Sequence, residues 1–278
     1  MEYVTLNNGV KMPMVGFGVF NLEGTDCERC VLEALEAGYR LIDTAQAYHN
    51  EEYVGNALAI SGVPREEVFL TTKIWVTEHT YEEAKASIFK SLRKLKTDYL
   101  DLVLIHQPLS DYYAAYHAME ELYKIGKLRA IGISNFSPER MADLAVFNKV
   151  RPAVNQVETH IFFQQEAAHQ WMKKYHVQHE AWGPLAEHRV QEVVGHPVLG
   201  EISAKYGKTA AQTALRFQLQ RGVVIIPKTA KRERMKENID LFDFTLTNDD
   251  MARLSLIDEG KSMWCSYDDP QIVELAMS

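Results

Sequence analysis

The stretch "YRLIDTAQAYHNEEYVGNALAI", Tyr39–Ile60, contains one unit of the pattern that decides the fold. Its first part, "YRLID", is typical of a buried strand, and "NEEYVGNALAI" is typical of an amphipathic helix. The strand ends on the carboxylate of Asp43, which is costly to bury unless another group pairs with it. Tyr48 follows one short loop later. The sequence therefore predicts that a partner for Asp43 comes from elsewhere in the chain.

Strand-like and helix-like segments alternate along the rest of the chain. The chain contains eight apolar strand-like runs, for example "VFLTTKI", "YLDLVLI" and "VVIIP". Each run is followed by a helix-like run, so the chain consists of eight strand–helix units. Strands that alternate with helices pair in parallel, and eight units without a break are typical of a closed barrel of about 250 residues. An open doubly wound sheet is the alternative, but its first turn usually carries a G-x-G-x-x-G motif, which "GFGVFNLEG" does not match. We therefore expect an α/β fold, the (β/α)8 TIM barrel.

Local signals predict further details. "YVTLNNGVKMP" contains two short extended runs around Asn8-Gly9, the strongest short hairpin signal, ahead of the first unit. Thr80 and Glu83 have the spacing of a capping box at the start of the helix in "TYEEAKASIFKSLRKL". The segment between "VQHEAW" and "TAAQTALRFQLQ" has no clear pattern, and we expect it to be irregular.

Composition limits the class of protein. The chain has 278 residues, of which 46% are hydrophobic and 24% charged, and these values fit a single globular domain over residues 1–278. The formal net charge of -8 argues against a nucleic-acid surface, because phosphate binding needs clustered Lys and Arg. No segment has the pattern of a signal peptide or of a membrane span, so we expect a cytoplasmic protein that does not bind membranes.

The cysteines do not indicate a disulfide framework, since there are three of them in a chain of this length. Cys27 and Cys30 have the spacing of a redox or metal motif. They lie, however, in the helical pattern "TDCERCVLEALEAG", and no second Cys or His pair stands at zinc spacing. We expect both to occupy ordinary helix positions, and we expect no metal site.

Polar or aromatic residues follow the predicted strands at the points where the strands end. In a (β/α)8 barrel the chemistry lies at the carboxyl ends of the strands, so these side chains are expected to share one rim. They are Asp43, Lys73, His106, Ser134, Asn135, Gln156, Trp182 and Lys228. Each of them alone is more often structural than catalytic, and it is the joint pattern that indicates an active site.

Asp43, Tyr48, Lys73 and His106 can act together if neighbouring strands bring them into contact. A phenol ionises near pH 10, so Tyr48 is a weak proton donor at neutral pH unless a cation such as Lys73 lowers its pKa. Asp43 would keep that lysine charged and in place, and His106 would orient a substrate oxygen by a hydrogen bond. The four residues therefore predict a site that protonates a developing alkoxide.

Six motifs extend this pattern along the chain, namely "GYRLIDTA", "TTKIW", "LIHQP", "IGISNF", "NQVE" and "IPKTAKRER". In this order and spacing they resemble the aldo-keto reductase family, in particular the bacterial branch that includes 2,5-diketo-D-gluconate reductases and glyoxal reductases. The resemblance runs from the N-terminal hairpin to about Phe244. It implies a (β/α)8 barrel closed at its base by that hairpin, and NADPH bound without a Rossmann domain. It also implies that the four residues above are the catalytic tetrad, with Tyr48 as general acid in the reduction of aldehydes and ketones to alcohols by hydride transfer.

The same resemblance implies a set of cofactor-binding residues. Trp182 would stack on the nicotinamide, and Lys228, Thr229 and Arg234 would bind the adenosine 2′-phosphate. Cationic side chains with fork geometry select a phosphate over a hydroxyl, so NADPH is expected rather than NADH. The full set is Ser134, Asn135, Gln156, Trp182, Gly183, Leu185, Lys228, Thr229, Arg234, Glu237 and Asn238.

The substrate pocket is the part in which the sequence departs from the family. Phe20, Ala47, Trp75 and Gln107 are expected to line it. Gln107 stands where a tryptophan is common, Trp182 stands where many members have tyrosine, and the tail "MWCSYDDPQIVELAMS" lacks the "HRDP" often seen in this branch. We expect a small-molecule carbonyl substrate in a roomier and more polar pocket. Relatives are often monomeric, and a monomer is expected.

Three other functions are weighed against this one. A metal-dependent barrel hydrolase would need His-x-His after the first strand, where "GFGVF" supplies no ligand. A glycosidase would need paired carboxylates at the rim, and Glu180 is a single candidate without a partner. A non-catalytic NADPH-binding relative would keep the fold, but the intact set of four residues argues against it.

Overall fold

Eight parallel strands form the barrel that the sequence predicts, in a computed structural model that describes residues 1–264 and 269–277. The two hairpin strands are β1 Tyr3–Thr5 and β2 Lys11–Pro13. The eight barrel strands are β3 Phe17–Gly18, β4 Leu41–Asp43, β5 Phe69–Ile74, β6 Leu100–Ile105, β7 Leu128–Ser134, β8 Val154–Glu158, β9 Gln178–Trp182 and β10 Val224–Ile225. The helices are α1 Gly24–Glu36, α2 Glu51–Ile60, α3 Tyr81–Lys94, α4 Tyr112–Lys124, α5 Pro138–Phe147, α6 Glu166–Tyr175, α7 Val190–Gly195, α8 Pro197–Tyr206, α9 Ala210–Gln220, α10 Arg232–Ile239, α11 Asn248–Ser255 and α12 Gln271–Met277. Strands β3 to β10 follow one another around the barrel in chain order.

Hydrogen bonds between the first and last barrel strands close the ring. Gly16 N donates to Ile225 O at 2.8 Å, and Ile225 N donates to Met14 O at 3.0 Å. The chain approaches its neighbours so closely here that a Cβ on Gly16 would lie 2.2 Å from Leu41 Cδ2. A larger residue at this position would force the Leu41 side chain to move, and the last barrel strand is bonded to the first, so the sheet closes on itself.

The barrel strands are buried on both faces, because helices cover their outer side and side chains fill the interior. Every residue of β5 and of β6 is buried, which explains the continuous apolar runs in the sequence. Two charged residues interrupt these runs, Lys73 of β5 and Asp101 of β6, and both are fully buried. A lysine in that position needs a bonded anion, and the site described below provides it.

The N-terminal hairpin lies at the amino ends of the barrel strands, as expected. Strands β1 and β2 are antiparallel, and Gly9 in the turn between them has a φ of +87°. The side chain of Asn7 donates to Pro152 O at 2.8 Å and that of Asn8 donates to Arg129 O at 2.9 Å. These carbonyl groups lie near the starts of β8 and β7, so the hairpin closes the base of the barrel.

Two local predictions need correction. Thr80 caps α3 by accepting from Glu83 N at 3.4 Å, but the Glu83 carboxylate bonds the Thr80 hydroxyl at 2.5 Å, so only one half of the capping box forms. The segment after β9 is not irregular, because it contains α7 and α8. The two helices have six and ten residues, and they are interrupted at His196 and the following Pro197, so no single helical period runs through the segment.

Cys27 and Cys30 occupy buried positions of α1, and both are free thiols, as the helical pattern indicates. Burial raises the pKa of the Cys27 thiol to about 12, so it carries no reactive thiolate. No helix in residues 1–264 or 269–277 has the combination of length and apolar character that crossing a membrane requires.

Candidate active site

A cavity of about 990 Å³ opens at the carboxyl ends of the barrel strands. Parallel strands point the same way, so the side chains that follow their last residues meet at this end. Lys73 is buried behind the cavity wall. The other expected site residues all line the cavity, and these are Phe20, Asp43, Ala47, Tyr48, Trp75, His106, Gln107, Ser134, Asn135, Gln156, Trp182, Gly183, Leu185, Lys228, Thr229, Arg234, Glu237 and Asn238.

The Lys73 ammonium makes three hydrogen bonds. Its Nζ donates to Asp43 Oδ1 at 2.5 Å, to Thr44 O at 3.0 Å and to Tyr48 Oη at 3.3 Å. Lys73 is 1% exposed and Asp43 is 2% exposed, so water does not screen the ion pair. A buried ion pair is tolerated only when both charges are well bonded, and here all three N–H groups of the ammonium are used. Lys73 is thus the partner that the carboxylate at the end of β4 requires.

Burial and charge together set the protonation of Lys73 and Tyr48. Burial alone would lower the pKa of Lys73, but the Asp43 carboxylate and Tyr48 outweigh it, and the pKa lies above its usual value. Burial raises the pKa of the Tyr48 phenol, and Lys73 offsets only part of the increase because Asp43 acts in the opposite sense. The expectation that Lys73 brings this pKa toward neutrality is therefore wrong for this arrangement. Tyr48 keeps its proton at neutral pH.

His106 lies between two aromatic rings in the cavity wall. Its ring centroid is 5.0 Å from that of Trp75 and 5.6 Å from that of Tyr48. Burial lowers its pKa well below the usual value, and the positive charge of Lys73 lowers it further, so the imidazole is neutral. The buried Nδ1 has no hydrogen-bond partner within the described part of the chain. We therefore assign the ring proton to Nε2.

A second buried carboxylate, Glu180 of β9, faces Asp43 across Gln156. The Gln156 Nε2 donates to Asp43 Oδ2 at 2.8 Å and to Glu180 Oε2 at 3.0 Å. Burial and then the Asp43 charge raise the pKa of Glu180 to about 8, so this carboxyl group is mostly protonated at neutral pH. Ser134 Oγ, at the end of β7, donates to the Gln156 carbonyl oxygen of β8 at 2.8 Å and so holds the two strands together. Both N–H groups of Gln156 are used, and only its Oε1 can serve a ligand.

Asn135 connects four cavity residues through its side-chain amide. Trp182 Nε1 donates to Asn135 Oδ1 at 2.8 Å. The acceptors near Asn135 Nδ2 are the His106 carbonyl oxygen at 3.2 Å, Gln107 Oε1 at 3.1 Å and Ser134 Oγ at 3.2 Å. The backbone of Asn135 has a φ of +64°, a left-handed conformation that asparagine adopts more readily than most residues. These bonds fix the indole of Trp182 and the amide of Gln107 relative to each other.

Cationic side chains line the cavity in the segment that follows β10. Lys228 and Arg234 are both exposed. Neither forms an ion pair with a carboxylate in residues 1–264 or 269–277, whereas Arg232 on the same helix pairs with Glu36 at 2.8 Å. Two positive charges are therefore available to an anionic ligand in this part of the cavity.

Comparison with known proteins decides the family. The sequence model described as "Aldo/keto reductase family" matches residues 15–259. The chain belongs to the aldo/keto reductase family. It is similar to the glyoxal reductase of Bacillus subtilis (strain 168), with 44% identity over 260 residues that cover 93% of each chain. It is also similar to the 9,11-endoperoxide prostaglandin H2 reductase of Trypanosoma cruzi (strain CL Brener), with 42% identity over 93% of this chain and 92% of the relative.

Solved aldo-keto reductase structures share the fold. One is MGS-M4, from a Medee basin deep-sea metagenome library, with a TM-score of 0.93 and 41% identity over 96% of this chain and 98% of that chain. Another is the Bombyx mori aldo-keto reductase in complex with NADP, with a TM-score of 0.90 and 32% identity over 96% of both chains. The protein is thus an oxidoreductase of a carbonyl-reducing family, as the six motifs indicate.

In this aldo/keto reductase, the C-terminal segment adds a cavity wall that the sequence did not predict. The Trp264 ring centroid lies 6.3 Å from that of Phe20 and 6.2 Å from that of Trp182. Trp264 Nε1 donates to Glu187 Oε2 at 3.0 Å, and α12 also lines the cavity. The only signal in the sequence was that this tail departs from the family pattern. Residues 265–268 of the tail lie outside the described residues.

Two groups of contacts attach this segment to the rest of the barrel. Glu158, the last residue of β8, accepts from Met263 N at 2.9 Å and from the Ser262 hydroxyl. Arg189 forms a bidentate ion pair with Glu259, in which both N···O distances are 2.8 Å. The indole of the C-terminal segment is therefore held over the cavity from two sides.

The alternative chemistries find little support in the site. Glu180 is completely buried and does not line the cavity, so it has no access to a glycosidic bond. Its carboxylate neighbour is Asp43, which is engaged with Lys73. Among residues 1–264 and 269–277, no group of three or more His, Cys, Asp or Glu is arranged to hold a metal ion.

Proposed function

We propose that this protein reduces aldehydes and ketones to alcohols with NADPH, with Tyr48 as the proton donor. The observation that carries the proposal is the Lys73 ammonium, which bonds both Asp43 and Tyr48 Oη at the wall of a large cavity. Membership of a family with named carbonyl reductases supports the reaction. The NADP complex of the Bombyx mori relative supports the cofactor.

The cavity offers polar groups that suit each part of NADPH. Gln156 Oε1 and the second lone pair of Asn135 Oδ1 can accept from a carboxamide, and Trp182 offers an aromatic face. Lys228 and Arg234 suit phosphate groups, and the fork of Arg234 favours the 2′-phosphate over a hydroxyl. When bound, NADPH supplies the hydride that reduces the carbonyl carbon. The remaining proposed contacts are Ser134, Gly183, Leu185, Thr229, Glu237 and Asn238.

Tyr48 supplies the proton that completes the reduction. The carbonyl oxygen becomes an alkoxide as its carbon gains the hydride, and the proton then moves to it from Tyr48 Oη. The phenolate left behind lies 3.3 Å from Lys73 Nζ, whose charge stabilises it. The raised pKa of Tyr48 does not prevent this step, because it keeps the phenol protonated and available at neutral pH. Lys73 acts on the phenolate that forms during the reaction, and solvent returns the proton afterwards.

His106 and the aromatic walls position the substrate. The neutral imidazole of His106 donates from Nε2 to the same carbonyl oxygen and so holds it near Tyr48. Phe20, whose ring centroid is 5.0 Å from that of Tyr48, forms an apolar wall with Ala47 and Trp75. Such walls exclude water, and this strengthens the electrostatic effect of Lys73 on the phenolate.

The test is the loss of reduced-nicotinamide absorbance with purified protein, NADPH and a panel of aldehydes and ketones. Tyr48→Phe should bind NADPH in calorimetry yet lose at least about a hundredfold in turnover. Tyr116→Phe is the matched control, because Tyr116 is a buried tyrosine of α4 whose hydroxyl donates to Val150 O, and neither residue lines the cavity. Near-normal turnover by Tyr48→Phe would exclude it as the acid. Tight NADPH binding without turnover by the unmodified protein would favour a non-catalytic role.

We further propose that residues 1–278 act as one domain and as a monomer in the cytoplasm. The arrangement of the described helices around one barrel supports the first part. Gel filtration with light scattering tests the second, since a mass near 31.8 kDa is expected and twice that mass would contradict it.

A further inference from the structure

The orientation of the Gln107 amide follows from the bonds of Asn135. An indole N–H can only donate, so the Asn135 atom 2.8 Å from Trp182 Nε1 is the oxygen. The Asn135 nitrogen therefore faces the His106 carbonyl oxygen at 3.2 Å, an atom that can only accept. The Gln107 atom 3.1 Å from the same nitrogen is accordingly Oε1. These three contacts leave one orientation for both amides.

Gln107 Nε2 is the part of this side chain that remains for a ligand. Because Asn135 holds Oε1, the two N–H groups of Gln107 point away from Asn135, and within residues 1–264 and 269–277 they have no acceptor. Gln107 is half-buried, directly follows His106 at the end of β6, and lines the cavity. The cavity lining thus carries a third hydrogen-bond donor besides the Tyr48 hydroxyl and the His106 N–H, on the residue that follows His106 in the chain.

We propose that Gln107 Nε2 donates a hydrogen bond to a second oxygen of the substrate, close to the carbonyl group that is reduced. A carbonyl oxygen accepts two hydrogen bonds, and Tyr48 and His106 provide both. A third donor in the same cavity lining requires an acceptor of its own, and a second oxygen of the substrate can provide it. Carbonyl compounds with an oxygen on the neighbouring carbon, such as 2-oxoaldehydes, supply it and are therefore preferred over simple aldehydes. This inference rests on the proposed function, since it concerns the substrate of the same site.

The test compares methylglyoxal with propanal, which share a carbon skeleton and differ in the oxygen at the second carbon. The ratio of kcat/KM for the two compounds is measured with NADPH for the unmodified protein, Gln107→Glu and Gln107→Met. Glutamate keeps the size of the side chain but has no N–H, whereas methionine keeps the length and removes both polar atoms. The hydration of methylglyoxal in water is the same in every assay and cancels when the proteins are compared.

We expect this ratio to fall about fivefold in both variants, which is the usual effect of one neutral hydrogen bond. The fall should lie mainly in a higher KM for methylglyoxal, because a bond to the unreacting oxygen is present before and during the reaction. An unchanged ratio would overturn the inference and leave the proposed function standing. A fall in Gln107→Met alone would also overturn it, since side-chain shape would then be the cause. Failure of the unmodified protein to reduce either compound would overturn the proposed function itself.

Trp182→Phe tests the orientation argument separately. Phenylalanine keeps an aromatic face but cannot donate to Asn135 Oδ1, so the amides of Asn135 and Gln107 are free to turn. The ratio should fall here too, although no group that contacts the second oxygen has been changed. A ratio equal to that of the unmodified protein would show that the indole does not orient Gln107.

Discussion

Replacement of Glu180 by glutamine tests whether this buried carboxyl group holds a proton in the folded barrel. Burial and the neighbouring Asp43 raise its pKa to about 8. In the unfolded chain a glutamic acid ionises near pH 4.3. Between these two pH values the folded protein binds one more proton than the unfolded chain, so stability decreases as pH rises. The loss begins above about pH 4.3 and is complete above about pH 8.

The size of the effect follows from the two pKa values. Between about pH 6 and pH 9, ionisation of Glu180 should lower the free energy of unfolding by about 2–3 kcal/mol. For a chain of 278 residues this corresponds to about 4–5 °C in the melting temperature. Glutamine has the shape of the protonated acid and can accept the same hydrogen bond from Gln156, but it cannot ionise. Glu180→Gln should therefore lack this part of the pH dependence.

The measurement is the melting temperature of each protein at several pH values between about pH 6 and pH 9. The difference between Glu180→Gln and the unmodified protein cancels the other titrating groups, and it should grow by about 4–5 °C over this range. Glu66→Gln is the control, because Glu66 is exposed. The melting temperature of this variant should change with pH in parallel with that of the unmodified protein. Parallel curves for Glu180→Gln as well would refute a raised pKa at Glu180.

Four other outcomes are expected. Lys73→Met should lower kcat at neutral pH by at least about a hundredfold, because the phenolate loses its cation, and near-normal kcat would contradict this. Arg234→Ala should raise KM for NADPH about tenfold and leave KM for NADH unchanged, whereas the control Arg232→Ala should change neither; equal changes for both cofactors would count against a 2′-phosphate contact. Trp264→Ala should raise KM for the carbonyl substrate with little change in kcat, and an unaltered KM would remove Trp264 from the pocket. Because burial raises the pKa of Tyr48, kcat should stay constant from about pH 6 to pH 9 and fall only above about pH 10, so a fall through about pH 8 would contradict the assignment.

The fold could be predicted because each of its elements leaves a local pattern. Strands buried on both faces read as continuous apolar runs, and the helices that cover them read as amphipathic ones. Once the order of the strands is known, the barrel brings their carboxyl ends together. Asp43, Lys73 and His106 could therefore be placed on one rim before any distance between their side chains was known. The two helices after β9 were missed because the break at His196 and Pro197 divides them, so the segment shows no continuous period.

The details of the site could not be predicted because they depend on contacts between distant parts of the chain. Gln156 contacts Asp43 across 113 positions, and nothing near either residue indicates the contact. The pKa of Tyr48 depends on how far Asp43 cancels the charge of Lys73, which only the three-dimensional arrangement decides. The contribution of Trp264 to the pocket wall likewise depends on the path of the C-terminal segment.

Synthesis of the chain from its N-terminus leaves the barrel open until the last strand has been made. Gly16 lies near the start of the sequence, but its hydrogen-bond partner Ile225 leaves the ribosome more than two hundred residues later. Until then the growing sheet has two open edges, whose unpaired N–H and C=O groups can bond to other chains. All four residues of the proposed tetrad have been synthesised once the chain reaches His106, yet a chain that stops before β10 should aggregate rather than form a smaller enzyme. Chaperone binding to the nascent chain is therefore expected to end only when β10 has closed the ring.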